Sequence, residues 1–204
     1  MNKKTLSLIF NIAIIILEII ATILSYKVNS RVLIEYYTID SNLLIMVTSL
    51  IYIIFIFMKK DIPRWLSMLK YIATTCLVIT FVIVMLILIP MADFNFKAML
   101  IDDAMLYHHL LCPILALITF VFFDDLGTYN RKDNIIGILI TQIYAAVLII
   151  LNIVNVVSGP YPFLMVRDQS ILASTAWFIG IFVIEYMIAL GVRIFQGKFN
   201  KATK

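Results

Sequence analysis

The chain has 204 residues, of which 63% are hydrophobic and only 14% charged, with a formal net charge of +4. A soluble domain is about 45–50% apolar and about 25% charged, so this composition excludes an ordinary soluble domain and indicates a chain solvated largely by lipid. The basic residues stand in short loops between apolar runs and form no stripe with interleaved aromatic residues. The sequence therefore indicates membrane lipids as partners and no nucleic acid.

The first apolar run follows Lys3 and Lys4 and covers about residues 5–25. It lacks a small-x-small cleavage site, and Glu18 interrupts it, so we predict a retained membrane helix in place of a cleaved signal peptide. Five further runs are long enough to cross a bilayer, at about 39–58, 66–90, 104–123, 134–157 and 171–195. They are continuous and do not alternate, which favours helices over a barrel. The predicted fold is all-α, a single six-helix transmembrane domain over residues 1–204.

Lysine and arginine are distributed unequally between the two sides of this bundle. The side with both termini holds 12 of them, namely Lys3, Lys4, Lys59, Lys60, Arg64, Lys70, Arg131, Lys132, Arg193, Lys198, Lys201 and Lys204. The other side holds 4, namely Lys27, Arg31, Lys97 and Arg167. Because cytoplasmic loops carry the excess of basic residues, we predict a multi-pass protein of the plasma membrane with both termini in the cytoplasm.

Polar residues cluster at the predicted outer start of the second helix, in "EYYTIDSNLL". Thr38, Ser41 and Asn42 have the i, i+3, i+4 spacing of one helical face. Thr38 or Asp40 is also a good N-cap residue. Ser41 and Asn42 could equally form hydrogen bonds between helices, as is common in membrane bundles.

The other polar candidates follow in "YHHLLCP" and the last two helices. His108 and His109 are adjacent, about 100° apart on a helix, so at most one is expected to face the bundle axis. Asn152 and Asn155 share the i, i+3 spacing in the fifth helix, and Glu185 lies near the middle of the sixth. We expect the intramembrane polar groups to converge on an outward-facing pocket and the inner halves of the helices to be almost purely apolar. We interpret Cys76 and Cys112 as small buried side chains and "GPYPF" at 159–163 as a rigid outer loop.

One chemistry suits these residues. A hydroxyl nucleophile needs a base within hydrogen-bond reach, and Thr38 and His109 are predicted at similar depth. Ser41 and Asn42, or backbone N–H groups of the second helix, are candidate donors to a developing oxyanion. The group that orients His109 stays open between Glu18, Asp40 and Asp102. The sequence contains no recognisable metal or cofactor motif.

At these residues the sequence resembles a known family. The segments "YYTIDSNLL", "YHHLLCPILAL" followed by "FVFFD", and "GPYPFL" resemble motifs of the bacterial Pr-six-Pr family of six-helix membrane proteins. That family is similar to the eukaryotic androgen-induced and androgen-dependent TFPI-regulating proteins, which are membrane threonine hydrolases that cleave fatty acid esters of hydroxy fatty acids. The resemblance implies Thr38 as nucleophile and His109, four residues before Pro113, as base, with His108 the poorer match.

A non-enzymatic role is the main alternative. In a small transporter, or in a membrane protein that binds a lipid or small molecule, Glu18, Glu185 and Asn152 would carry recognition or proton coupling. The sequence shows no inverted repeat and no pair of helices broken by glycine or proline, which speaks against transport. A purely structural partner subunit is a third option.

Overall fold

A computed structural model describes residues 2–29 and 35–201, so the predicted positions of Arg31 and Lys204 lie outside the described residues. The described chain is helical, and no strand occurs in it. Six helices are long and apolar enough to span a membrane. They are α1 (Lys3–Asn29), α2 (Tyr37–Phe57), α3 (Arg64–Met91), α4 (Leu106–Phe123), α5 (Asp133–Ile153) and α6 (Ile171–Lys201). The predicted all-α six-helix architecture is confirmed, with the predicted boundaries shifted by a few residues.

The loops fall into two groups, which define the two ends of the bundle. The terminal end carries the start of α1, the end of α6 and the α2–α3 and α4–α5 loops. The opposite end carries the start of α2, the α3–α4 segment with its short helix Phe96–Leu100, and the α5–α6 loop. The residues predicted to form a site gather at or near this opposite end.

Two of the spanning helices contain π-helical turns. The segments are Val84–Leu88 in α3 and Leu106–Leu111 and Thr119–Phe123 in α4. Pro90 and Pro113 follow the first two of them by two residues. Proline lacks an N–H and its ring clashes with the carbonyl four residues earlier, so a locally wider turn accommodates it without ending the helix.

Helix α1 has its polar side chains on the inside. Its buried positions recur every three or four residues and are mostly polar or small: Ser7, Asn11, Ile14, Glu18, Ala21 and Ser25. Its outward face carries half-exposed isoleucines such as Ile16 and Ile23. Lipid solvates the apolar face, so the polar side chains of α1 must form their hydrogen bonds inside the bundle.

The terminal half of the bundle contains a buried polar network, so the expectation that the inner halves are almost purely apolar is wrong. Lys70 and Asp124 are both fully buried, with Lys70 Nζ 3.5 Å from Asp124 Oδ2. Lys70 Nζ also donates to Asn11 Oδ1 at 2.5 Å and to Ser49 Oγ at 3.0 Å. Ser7 Oγ donates to Asp124 Oδ1 at 2.5 Å. These contacts join α1, α2, α3 and the end of α4.

Candidate functional site

Thr38 and His109 meet inside the bundle. Thr38 lies in the first turn of α2 and His109 in the first π-helical turn of α4, and both are buried. The Thr38 Oγ1 atom is 3.3 Å from His109 Nε2. Residues 71 positions apart in the chain are thus within direct hydrogen-bond reach, which is the geometry expected of a nucleophile and its base.

A backbone carbonyl orients His109. The His109 Nδ1–H donates to the carbonyl oxygen of Met99 at 2.7 Å. A carbonyl can only accept, so Nδ1 carries the proton of the neutral imidazole and Nε2 presents its lone pair to Thr38. Met99 lies in the last turn of the short helix Phe96–Leu100, where carbonyls lack intrahelical partners. The orienting group is therefore none of the three carboxylates considered from the sequence, and Asp102 instead faces Lys97 at 3.9 Å.

The start of α2 is capped by tyrosines from elsewhere in the chain. The N-cap residue is Tyr36, which makes no side-chain capping bond, so the capping role considered for Thr38 or Asp40 is not realised. The Tyr37 N–H donates to Tyr144 Oη at 3.1 Å, and the Thr38 N–H donates to Tyr161 Oη at 3.3 Å. Because these hydroxyls satisfy the backbone N–H groups of the first turn, the Thr38 hydroxyl is left to face His109.

Tyr161 is the site residue that the sequence interpretation missed. Its Oη lies 3.4 Å from Thr38 Oγ1. Burial raises the pKa of Tyr161 to about 12, so the phenol stays protonated and acts as a donor. The "GPYPF" segment was predicted to be a rigid loop only. The signal that could have identified Tyr161 is a tyrosine between two prolines at the end of the bundle where Thr38 begins its helix.

Ser41 and Asn42 hold the backbone of Thr38 in place. Ser41 Oγ donates to the Thr38 carbonyl at 3.1 Å and is 3.0 Å from Thr80 Oγ1. Asn42 Nδ2 donates to the same carbonyl at 2.7 Å and to the His108 carbonyl at 3.3 Å. The donor groups of Ser41 and Asn42 are thus bonded to backbone carbonyls. This arrangement positions Thr38 and differs from the expected role of donors to an oxyanion.

Glu18 and His108 form a second buried pair behind His109. His108 Nδ1 is 3.3 Å from Glu18 Oε2, and both side chains are almost fully buried. The two adjacent histidines therefore point to different partners, His108 toward α1 and His109 toward α2. The π-helical turn buries both rings, so neither histidine is an interfacial side chain.

The predicted asparagines serve the α5–α6 loop. Asn152 Nδ2 donates to the carbonyls of Val157 and Ser158, and its Oδ1 accepts the Arg167 N–H at 3.1 Å. The prediction that Asn152 and Asn155 share a helical face is wrong, because helix α5 ends at Ile153. Asn155 stands in the loop with φ of 63° and accepts a hydrogen bond from the Arg167 guanidinium. The structure places Asp40, in the first turn of α2, at a half-buried position.

A cavity of about 70 Å³ lies beside Thr38. Helices α2, α3, α5 and α6 and the α5–α6 loop line it, and most of the lining side chains are apolar. Glu185 belongs to the lining, and its Oε2 accepts a hydrogen bond from Gln142 Nε2 at 2.6 Å. Of the candidate residues, the structure thus brings together Thr38, His109, Ser41, Asn42 and His108 with Glu18. Glu185 lines the cavity, and Asn152 lies at the end of α5, where it is bonded to the α5–α6 loop.

Tyr161, Thr38 and His109 form a continuous hydrogen-bond relay that ends at the Met99 carbonyl. The Tyr161 hydroxyl donates to Thr38 Oγ1, the Thr38 hydroxyl donates to His109 Nε2, and His109 Nδ1–H donates to Met99.

Among the described residues no group of three His, Cys, Asp or Glu side chains is placed to hold a metal ion. Both cysteines are free and buried, as predicted. No family model, no curated protein and no solved structure matches the chain.

Proposed function

We propose that this multi-pass membrane protein is a threonine-dependent hydrolase of lipid acyl esters. The observation that carries the proposal is the direct approach of the Thr38 hydroxyl to the unprotonated Nε2 of an imidazole whose other nitrogen is fixed by a carbonyl. The Thr38 hydroxyl lines an apolar cavity and has an oriented base within hydrogen-bond reach, which suits an ester with a hydrocarbon chain.

The first half of the reaction forms an acyl-threonine. Thr38 Oγ1 attacks the ester carbonyl while His109 Nε2 takes its proton, and the carbonyl oxygen becomes an oxyanion. Tyr161, which already lies beside the nucleophile, supplies a hydroxyl donor to that oxyanion. Collapse of the tetrahedral intermediate breaks the bond to the alcohol, which leaves with the proton from His109.

The second half releases the acid. Water attacks the acyl-threonine carbonyl, His109 accepts one of its protons, and the same proton returns to Thr38 Oγ1 as the fatty acid departs. The hydrogen bonds from Ser41 and Asn42 to the Thr38 carbonyl keep the nucleophile in position during both halves of the reaction.

The cellular setting is part of the proposal. The excess of lysine and arginine at the terminal end supports cytoplasmic termini in the plasma membrane, which puts the Thr38 end of the bundle at the outer leaflet. The motifs around Thr38, His109 and "GPYPFL" support membership of the Pr-six-Pr family. The orientation is tested by single cysteines at Lys97 and Lys60: an impermeant maleimide is expected to label Lys97→Cys on intact cells and Lys60→Cys only after lysis.

Covalent labelling tests the nucleophile. Purified protein is treated with a fluorophosphonate probe and assayed with a fluorogenic acyl ester. Thr38→Ala is expected to abolish both labelling and turnover, and His109→Ala to lower turnover by about 10²–10⁴-fold, the usual contribution of a general base.

Thr48→Ala is the matched control. Thr48 is also a buried threonine of α2, but its hydroxyl donates to the Leu44 carbonyl of its own helix, so its removal is expected to leave labelling and turnover within twofold of wild type. Labelling that persists in Thr38→Ala would exclude Thr38 as the nucleophile. Folded wild type that cleaves no ester but retains bound lipid would favour the binding role instead.

A further inference from the structure

The cavity beside Thr38, called the slot below, extends along one face of α6 and includes the polar side chains of Gln142 and Glu185 in its lining. One face of α6 lines it with Ser174, Phe178, Ile181 and Glu185, spaced four, three and four residues apart. Eleven residues separate the first from the last, which corresponds to about 16 Å along the helix axis. The α5–α6 loop, with Tyr161, closes the end near Ser174, and Glu185 marks the other end.

The Glu185 end of the slot presents hydrogen-bond acceptors. Within the described residues Gln142 is the one hydrogen-bond partner of the Glu185 carboxylate, and that bond uses the Gln142 amide N–H. The carboxylate keeps a second oxygen, and the Gln142 amide keeps its carbonyl oxygen; both groups line the slot. Glu185 is 1% exposed, so this carboxylate sits in the apolar interior, where an ionisable side chain is costly and marks a functional site.

The occupant of this end must therefore supply donors. An unsubstituted alkyl chain would leave the acceptors without partners, at a cost comparable to a lost hydrogen bond. A carboxylate or phosphate would place a second acidic group against Glu185 in a low-dielectric environment, where two neighbouring acidic groups cannot both ionise. A hydroxyl can both donate and accept a hydrogen bond and carries no charge.

We propose that the slot selects acyl esters whose chain carries a free hydroxyl several carbons from the ester, with Gln142 and Glu185 binding that hydroxyl while the ester carbonyl lies at Thr38. This inference rests on the proposed hydrolase function. It adds a specificity site that is distinct from the reacting groups.

The test uses paired p-nitrophenyl esters with chains of about six to twelve carbons, each with a terminal methyl, hydroxyl or trimethylammonio group. Wild type is expected to prefer the hydroxyl ester to the methyl ester by about ten- to hundredfold in kcat/KM at one optimal chain length, because the methyl ester leaves a buried polar group without a hydrogen-bond partner. Glu185→Gln, which keeps the side-chain volume, is expected to bring that preference to within about threefold.

Thr175→Ala is the control on the same helix, since Thr175 is exposed on another face and its hydroxyl donates to Ile171. If Glu185→Gln does not accumulate, Gln142→Met gives the same readout because it removes the amide that orients the carboxylate. A wild type that prefers methyl esters at every length, or trimethylammonio esters over hydroxyl esters, overturns the hydroxyl site while Thr38-dependent turnover persists. Loss of all turnover in wild type would instead refute the hydrolase itself.

Discussion

The hydrogen bonds around Thr38 have a single consistent direction. The Met99 carbonyl can only accept, so the proton on His109 is assigned to Nδ1, and the Thr38 proton then points to Nε2. The lone pairs of Thr38 Oγ1 are left to accept from Tyr161. The relay needs no charged group, which suits a site that is buried beneath a loop and surrounded by apolar side chains.

Tyr161→Phe tests the hydroxyl that ends this relay. The substitution keeps the ring and its contacts with Tyr36 and Phe163 but removes the donor to the oxyanion. Turnover is expected to fall by about 10²–10³-fold, the usual cost of one such donor, while the protein stays folded. Steady-state kinetics on a soluble ester measures it.

Tyr36→Phe is the control for that experiment. Tyr36 packs edge-on against the Tyr161 ring and is 36% exposed, so loss of its hydroxyl is expected to change turnover by less than twofold. Equal turnover of Tyr161→Phe and wild type would show that another group stabilises the oxyanion.

At the level of single residues, sequence reasoning identified Thr38 and His109, which meet in the structure, but not the groups around them. Thr38 and His109 were identified because polar residues are conspicuous in apolar runs and have a recognisable chemistry. Met99 could not be identified, because it acts through its carbonyl, which every residue has. Tyr144 and Tyr161 act through contacts with residues more than a hundred positions away, which no local pattern reports.

Among the elements, the six helices follow from hydropathy and length, whereas their internal irregularities do not. Each apolar run has to satisfy its backbone within the lipid, so helix existence is strongly determined. The π-helical turn Leu106–Leu111 depends on how α4 packs, and it is this turn that buries both His108 and His109. Irregular turns of this kind are frequent at functional sites.

The α5–α6 loop is the element that brings Tyr161 to Thr38, and Gly159 sets its path. Gly159 has φ of 92°, a conformation that costs a residue with a side chain about 1–2 kcal/mol. Gly159→Ala is expected to lower the unfolding temperature by a few degrees and also to lower turnover severalfold, because Tyr161 is displaced. Thermal unfolding and kinetics on the same preparation measure both effects.

Gly127→Ala separates the two effects of that substitution. Gly127 has a similar φ of 74°, lies in the α4–α5 loop at the terminal end, and has open space around a new Cβ. It should show a comparable loss of stability with unchanged turnover per folded molecule. If Gly127→Ala lowers turnover as much as Gly159→Ala, strain in the α5–α6 loop is not what positions Tyr161.

The whole molecule has a polar centre at each end, and the two differ in kind. The Thr38 end has neutral hydrogen bonds and a cavity, whereas the terminal end has a fully buried pair of oppositely charged residue types, Lys70 and Asp124. Lys70 is one of the basic residues from which the orientation of the bundle is predicted. Its burial is not evident from the sequence, since a lysine in the second turn of a helix normally reaches solvent. Burial appears only when Ser7, Asn11, Ser49 and Asp124 are brought around it.

A double-mutant cycle tests whether the Lys70–Asp124 pair holds α3 to the end of α4. Lys70→Met leaves Asp124 buried without its counter-ion and is expected to destabilise the protein by about 3–5 kcal/mol, whereas Lys70→Met with Asp124→Asn should recover most of the loss. The Arg64–Asp133 pair is the control: its atoms are 2.6 Å apart but Arg64 is half-exposed, so Arg64→Met should cost about 0–1 kcal/mol. Thermal unfolding in one detergent compares wild type, Lys70→Met, Asp124→Asn, the double variant and Arg64→Met. A double variant no more stable than Lys70→Met would mean that Lys70 acts through Asn11 and Ser49, and not through its charge on Asp124.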